Sequence, residues 1–156
     1  MIVLGSVAGT SEAVGTCLGT SSWLRIDQDR INLFADATGD HQWIHTDVPR
    51  AAEGPFGSTI AHGFLTLALV AGFSAEIYRI ENASLVVNYG CDSVRFTAPV
   101  RVGSAVRGRA DLISCDPDEH GAKLRVKFTV EIQGETRPAL VAETLLLVHF
   151  EKSRAA

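Results

Sequence analysis

The sequence has few cysteines, no surplus of basic charge and no very long apolar run, and each shortage removes a class of protein. Its three cysteines, Cys17, Cys91 and Cys115, are odd in number and lack C-x-x-C spacing, which sets aside a disulfide framework or a zinc ribbon. Lys and Arg total 14 against 18 Asp and Glu, a net charge of −4, and no basic run offsets that balance, so no nucleic-acid partner is expected. Lys123, Arg125 and Lys127 alternate along one strand face and read as solvated, with attraction of coenzyme A phosphates the lesser alternative. The most apolar segment, from Ala61 to about Arg79, is interrupted by Gly72 and Ser74 and falls short of the roughly 20 apolar residues a bilayer requires. No membrane partner is expected. Met1 to Gly9 is apolar but short and lacks a basic leader, so it does not read as a signal peptide and a reducing cytoplasm is the expected location. Linkers, repeats and low-complexity segments are also missing, and 156 residues suit one core. The whole of 1–156 is therefore read as a single domain.

What is there falls into a helical first half and a strand-rich second half. Residues 1–15 give little periodic signal beyond one possible helical turn at Ser11–Val14, and Thr16 to Ile26 suits a first strand. Asp27 is a good N-cap, with Ile26 and Ile31 at the two positions of a hydrophobic staple. Ile31, Phe34, Ala35 and Thr38 then share one helix face, and Gly39 can end the helix in the left-handed conformation. Asp47 to Ala52 is expected to form a second short helix, and the glycine-rich Glu53–Gly57 a loop. The helix from Ala61 carries apolar residues on every side, which predicts burial all round. Strands are expected over Leu85–Pro99, bulged near Gly90, then over Val106–Leu112, Leu124–Ile132 and Ala139–Phe150. Consecutive strands joined by short turns imply an antiparallel meander. The sum is an α+β protein, an antiparallel sheet wrapped around one long buried helix.

The chemistry-bearing residues cluster between the two helices. Gly39-Asp40-His41-Gln42-Trp43-Ile44-His45 places a carboxylate and two imidazoles beside a glycine, and Thr59-Ile60-Ala61-His62-Gly63 leads into the apolar helix. Asp40 and His45 are five residues apart. A continuous helix would set them about 140° apart, and a strand would point them to opposite faces. They can cooperate only across an irregular segment, which Gly39 permits. Taken alone, such a pair more often means a capping aspartate and a satisfied histidine.

The surrounding residues strengthen the pair. The segment from Phe34 to Leu69 resembles the MaoC-like family of R-specific enoyl-CoA hydratases and acyl dehydratases, whose signature is G-D-x-N-P-[aliphatic]-H followed by P-[IV]-x-H-G. The resemblance extends weakly into Val87-Asn88-Tyr89-Gly90 and Val94-Arg95-Phe96-Thr97-Ala98-Pro99. Gln42 stands where the family has asparagine, and Trp43 and Thr59 where it has proline. The resemblance implies the hotdog fold, a homodimer, and an (R)-specific hydratase acting on trans-2-enoyl thioesters. In that reading Asp40 and His45 hold the catalytic water and Gly63 supplies the oxyanion donor. No cofactor or metal is expected, since coenzyme A is part of the substrate and Asp40, His45 and His62 carry no ligand signature.

Hydration of an enoyl thioester needs a base for water, a proton for C2 and a donor for the thioester oxygen. Histidine titrates near neutrality, a carboxylate can partner it, and Gly63 in the first turn offers an unpaired N–H at the positive end of the helix dipole. Gln42, Ser58 and Asn88 are the further substrate-binding candidates. Ser58 and Thr59 also read as helix N-caps, and His62 as a residue satisfying the helix start. Three alternatives stay open. The same reaction can run as dehydration of a 3-hydroxyacyl group on an acyl carrier protein. A hotdog thioesterase is the less favoured, since this chain has no third acidic residue on the buried helix before Glu76. The chain can also be a non-catalytic acyl-thioester binder similar to the nodulation protein N group.

Overall fold

The computed structural model describes residues 1–151. Five helices and eight strands follow one another as β1 (Ile2–Leu4), α1 (Val7–Glu12), β2 (Cys17–Thr20), β3 (Leu24–Arg25), α2 (Gln28–Thr38), α3 (Trp43–Thr46), α4 (Val48–Ala52), α5 (Gly63–Ile77), β4 (Tyr78–Ile80), β5 (Ala83–Phe96), β6 (Ala105–Pro117), β7 (Gly121–Ile132) and β8 (Leu140–Phe150). The main sheet is antiparallel in the order β2-β6-β7-β8-β5, with β3 also on β6, and α5 packs against it. This is the hotdog arrangement.

The helix caps form as local chemistry dictates. Asp27 accepts from the N–H of Arg30 at 2.9 Å and opens α2, and Gly39 closes it at φ 76°. Ile26 and Ile31 are both buried in the core. α5 seats closely on the sheet because Gly108 of β6 has no side chain: a Cβ there would come within 2.8 Å of Phe73. Leu65, Val70, Phe73 and Ile77 of α5 join Leu112, Leu124, Val126, Phe128 and Val148 in one core.

Several expectations need correction. Residues 1–15 are structured: β1 pairs in parallel with β4, and Ser6 caps α1 through the N–H of Gly9. The expected first strand splits into β2 and β3, because Ser21 turns aside to exchange hydrogen bonds with Gly108. The meander holds only for β6, β7 and β8; β5 crosses to pair with β8, at the sheet edge. Its ladder shifts register between Asn88 and Gly90, where a bulge was expected, and also beside Ala83 and Cys91. The helix from Ala61 begins at Gly63, and its last expected residues belong to β4. It is not buried all round. Phe64 is 68% exposed, and Ala68, Ala71, Gly72 and Ala75 continue the same open stripe. The basic stripe on β7 is paired rather than free at Arg125, which meets Asp92 at 2.6 Å. No helix among the described residues is long and apolar enough to cross a membrane.

Candidate active site

Asp40 leaves α2 immediately after Gly39, and its carboxylate accepts from the backbone N–H of Gln42 at 3.4 Å. The chain then makes the single turn α3, which was expected to be irregular and which carries His45 inward to 6% exposure. A carboxylate oxygen of Asp40 and ring nitrogens of His45 and His62 all lie within 4.8 Å of one another. The turn therefore solves the spacing problem that neither a helix nor a strand could.

His45 is fixed from three sides. Its Nδ1 donates to the carbonyl of Ile60 at 2.7 Å. A carbonyl only accepts, so Nδ1 carries the hydrogen and Nε2 is the free basic nitrogen. Gln28, in the first turn of α2, donates to the His45 carbonyl at 2.8 Å and to Asn32 at 2.9 Å, while its own oxygen accepts from the buried hydroxyl of Thr59 at 2.5 Å. The ring of His62 stacks on that of His45, with centroids 3.8 Å apart and planes at 24°. Burial pushes the pKa of His45 below its ordinary value; the bond to Ile60 and the Asp40 charge oppose that shift, and His62 adds to it. The imidazole is thus held neutral and ready to accept a proton.

His62 belongs to this cluster, whereas the sequence gives it only the role of satisfying the helix start. It is the N-cap residue of α5, yet its side chain makes no cap bond. Its Nε2 donates instead to the carbonyl of Asp40 at 2.9 Å and lies 4.0 Å from the Asp40 carboxylate. The signal was its position directly before Gly63, at the end of the second motif. Three ligand-type atoms this close also suit a metal ion. However, imidazole lone pairs lie in the ring plane, so two stacked rings aim them side by side rather than at one point. The geometry fits proton transfer better than coordination.

Gly63 opens α5 next to this cluster, and its amide is among the four that have no acceptor within the helix. It lines a cavity of ≈ 290 Å³ with Phe56, Thr66, Phe96 and Val100; neither Asp40 nor His45 lines that cavity. A Cβ on Gly63 would meet the Phe96 ring at 2.9 Å, so packing as well as chemistry calls for glycine. The remaining candidates lie apart. Gln42 is exposed, and its backbone rather than its side chain meets Asp40. Ser58 donates to the neighbouring Thr59 carbonyl at 3.1 Å, and neither residue caps α5. Asn88 faces cavities of ≈ 260 and ≈ 500 Å³ beside Ala71, Ser74 and Tyr78. Ser74 is roughly 16 Å along α5 from Gly63, at 1.5 Å per residue. Trp43, standing for the family's proline, is wedged against Gly54 with Arg50 4.4 Å over its ring, so packing steadies the loop where proline would have done so.

Fold and motif order match those of a hotdog dehydratase, and the comparisons with known proteins agree. Residues 10–133 match the family described as MaoC like domain. The chain is 49% identical over 142 residues to a 3-hydroxyacyl-thioester dehydratase Z of Mycobacterium tuberculosis, covering 90% of this chain and 94% of that one. It is 46% identical over 151 residues to nodulation protein N of Rhizobium leguminosarum, covering 94% and 92%. An R-hydratase structure from Pseudomonas aeruginosa superposes with TM-score 0.73 at 24% identity, over 88% of this chain and 83% of that one, a likeness of fold. The chain belongs to the MaoC-like dehydratase family, and it is a hydro-lyase.

Proposed function

We propose that the chain is an (R)-specific enoyl-CoA hydratase, adding water reversibly to trans-2-enoyl thioesters. The observation that supports this most is the convergence of Asp40 and His45 within 4.8 Å, directly beside the start of α5. Neutral His45 takes a proton on Nε2 as the water oxygen bonds to C3. The C2=C3 electron pair moves toward the thioester oxygen, where the Gly63 N–H and the helix dipole meet the developing charge. A donor of that kind lowers the barrier by about 3 kcal/mol in a water-poor site. The imidazolium, stabilised by the Asp40 carboxylate, then returns its proton to C2. Atoms and charge balance without any added cofactor, and coenzyme A enters only as part of the substrate. The three free cysteines suit catalysis in a reducing cytoplasm.

The working unit in this reading is a homodimer. β5 is a 14-residue edge strand with Leu85, Val86, Val87, Tyr89 and Phe96 exposed, and a bare edge of that kind invites pairing. A two-fold axis pairing β5 with its copy would set the two α5 helices antiparallel, their small-residue stripes facing. That would carry the Asn88 cavities of one chain toward the Gly63 end of the other, as an acyl-chain pocket with Ser58 and Gln42 nearer its mouth.

The test is turnover of crotonyl-CoA with the product enantiomer resolved. Asp40→Asn and His45→Ala chains that keep the parental melting temperature should each lose about 10²- to 10⁴-fold in kcat. Unchanged turnover in both sinks the mechanism, and an (S) product sinks the stereochemical assignment. The relative called a 3-hydroxyacyl-thioester dehydratase favours a second reading, the same chemistry run toward dehydration. Comparing coenzyme A with carrier-protein thioesters separates the two. The relative called nodulation protein N keeps a binding role in view: enoyl-CoA bound by the wild-type chain without turnover would select it.

A further inference from the structure

His62 is 3% exposed and touches both members of the proposed pair, yet the mechanism gives it no step. Its Nε2–H holds the Asp40 carbonyl at 2.9 Å, its ring lies 3.8 Å from that of His45, and Phe34 closes on it at 5.1 Å. Its own carbonyl receives the N–H of Thr66 and so is fixed to the first turn of α5. Its Nδ1 is buried and has no hydrogen-bond partner among the described residues. A histidine serving only as core filler would not be expected to leave a buried nitrogen unpaired. We infer that His62 is a positioning residue, a strut from the start of α5 that fixes the Asp40 loop through one N–H and the plane of the His45 ring through its face. The inference rests on the hydratase reading of the same site and adds to it a second role for the helix start: besides the oxyanion amide, it supplies the register between carboxylate and base.

The two contacts can be separated by substitution. His62→Phe keeps a flat ring against His45 but leaves the Asp40 carbonyl without its donor. His62→Gln keeps an N–H at the Nε2 position but removes the ring. His62→Ala removes both. The titratable groups facing His45 are Asp40 from the loop and His62 from α5, while Gln28 of α2 and the Ile60 carbonyl are neutral contacts. Substitutions at His62 therefore leave Asp40 as the one titratable neighbour.

The experiment combines crotonyl-CoA kinetics with an NMR titration of the His45 imidazole, the second needing no substrate and no turnover. His62→Phe should lower kcat about 10²-fold, the effect of displacing a catalytic group by about 1 Å, with KM close to parental and the His45 midpoint rising only by the small part that His62 adds to its lowering, since burial stays the larger cause. His62→Gln should recover kcat to within about tenfold. His62→Ala should lower kcat at least as far as Phe and move the His45 midpoint up toward 6.5 as its face is opened to water. If His62→Phe fails to fold, the Ala and Gln chains carry the same contrast. Parental kcat in His62→Ala overturns the inference. So does an equal loss in Phe and Gln with the His45 midpoint unmoved in Ala. A parental chain without hydratase turnover instead overturns the functional reading, while the NMR series still judges the strut.

Discussion

β7 and β5 are both apolar-rich strands by sequence, and the structure treats them in opposite ways. In β7, Leu124, Val126, Phe128, Val130 and Ile132 are buried while Lys123, Arg125 and Lys127 face outward, and both edges are paired, to β6 and β8. β5 also carries β-branched, aliphatic and aromatic residues, but only its β8 edge is paired, and Tyr89 is 63% exposed. Within the chain, β7 has a neighbour on both edges and β5 on one only. The apolar content of a strand states that something must cover it; it does not state whether the cover comes from the same chain. The open stripe on α5 says the same of the helix, since both lie toward the unfinished side of the molecule.

The largest expected effect attacks the finished side. Phe128→Ala removes a fully buried ring from β7 and should cost about 3–5 kcal/mol of stability, read as a lower midpoint in a urea melt. A change below 1 kcal/mol would mean that β7 is not the closed part of the core. On the unfinished side, Val87→Lys should leave the chain folded but, in the proposed dimer, bring like charges face to face across its two-fold and weaken self-association by about 100-fold. Sedimentation over a dilution series reads this directly, and turnover should fall with the dimer. A variant that sediments as the parent would remove β5 as the interface and break the comparison.

Which parts were legible follows from the same distinction. The caps at Asp27 and Gly39, the bulge near Gly90 and the period-2 alternation of β7 are local, and the sequence states them in a few residues each. Asp40 and His45 were legible because their spacing fits no regular element, which singled out the loop, and because the two motifs occur in the family's order. What escaped depends on distant partners. β1 and β4 are three residues each and pair across about half of the chain, too short to carry a periodic signal. The crossing of β5 to β8 is a choice of neighbour, and strands do not name their neighbours. His62 looked like a helix cap because a residue before a helix start normally serves that end; only the folded loop brings the Asp40 carbonyl to its Nε2. The exposed stripe of α5 escaped because alanine and glycine read as buried on any face.

A smaller effect sharpens the comparison from within the finished side. Gln28 ties α2 to the His45 carbonyl and to Thr59 through contacts made inside one chain. Gln28→Ala leaves the Thr59 hydroxyl buried without that acceptor, at a cost of about 1–3 kcal/mol. Turnover should fall while sedimentation stays parental, the reverse of Val87→Lys in its effect on assembly. Loss of the dimer in Gln28→Ala would show the two sides to be coupled.

The smallest effect is in pH, and it isolates His45. Its folded pKa lies below the ordinary 6.5, chiefly through burial, so near and below pH 6.5 the unfolded chain binds more protons at this residue than the folded one. Stability therefore rises with pH across the window between the depressed folded value and 6.5, and His45 contributes no slope above it. Lowering the pH through that window should lower the urea midpoint in the parent, and the slope should be shallower in His45→Gln, which has nothing to titrate there. Activity moves the same way: the neutral base survives below pH 6.5, so the acid limb of kcat/KM should fall at a pH under that of a free imidazole. An acid limb at or above 6.5 would mean that water reaches the His45 ring, and that this end of the molecule is as open in one chain as β5 is.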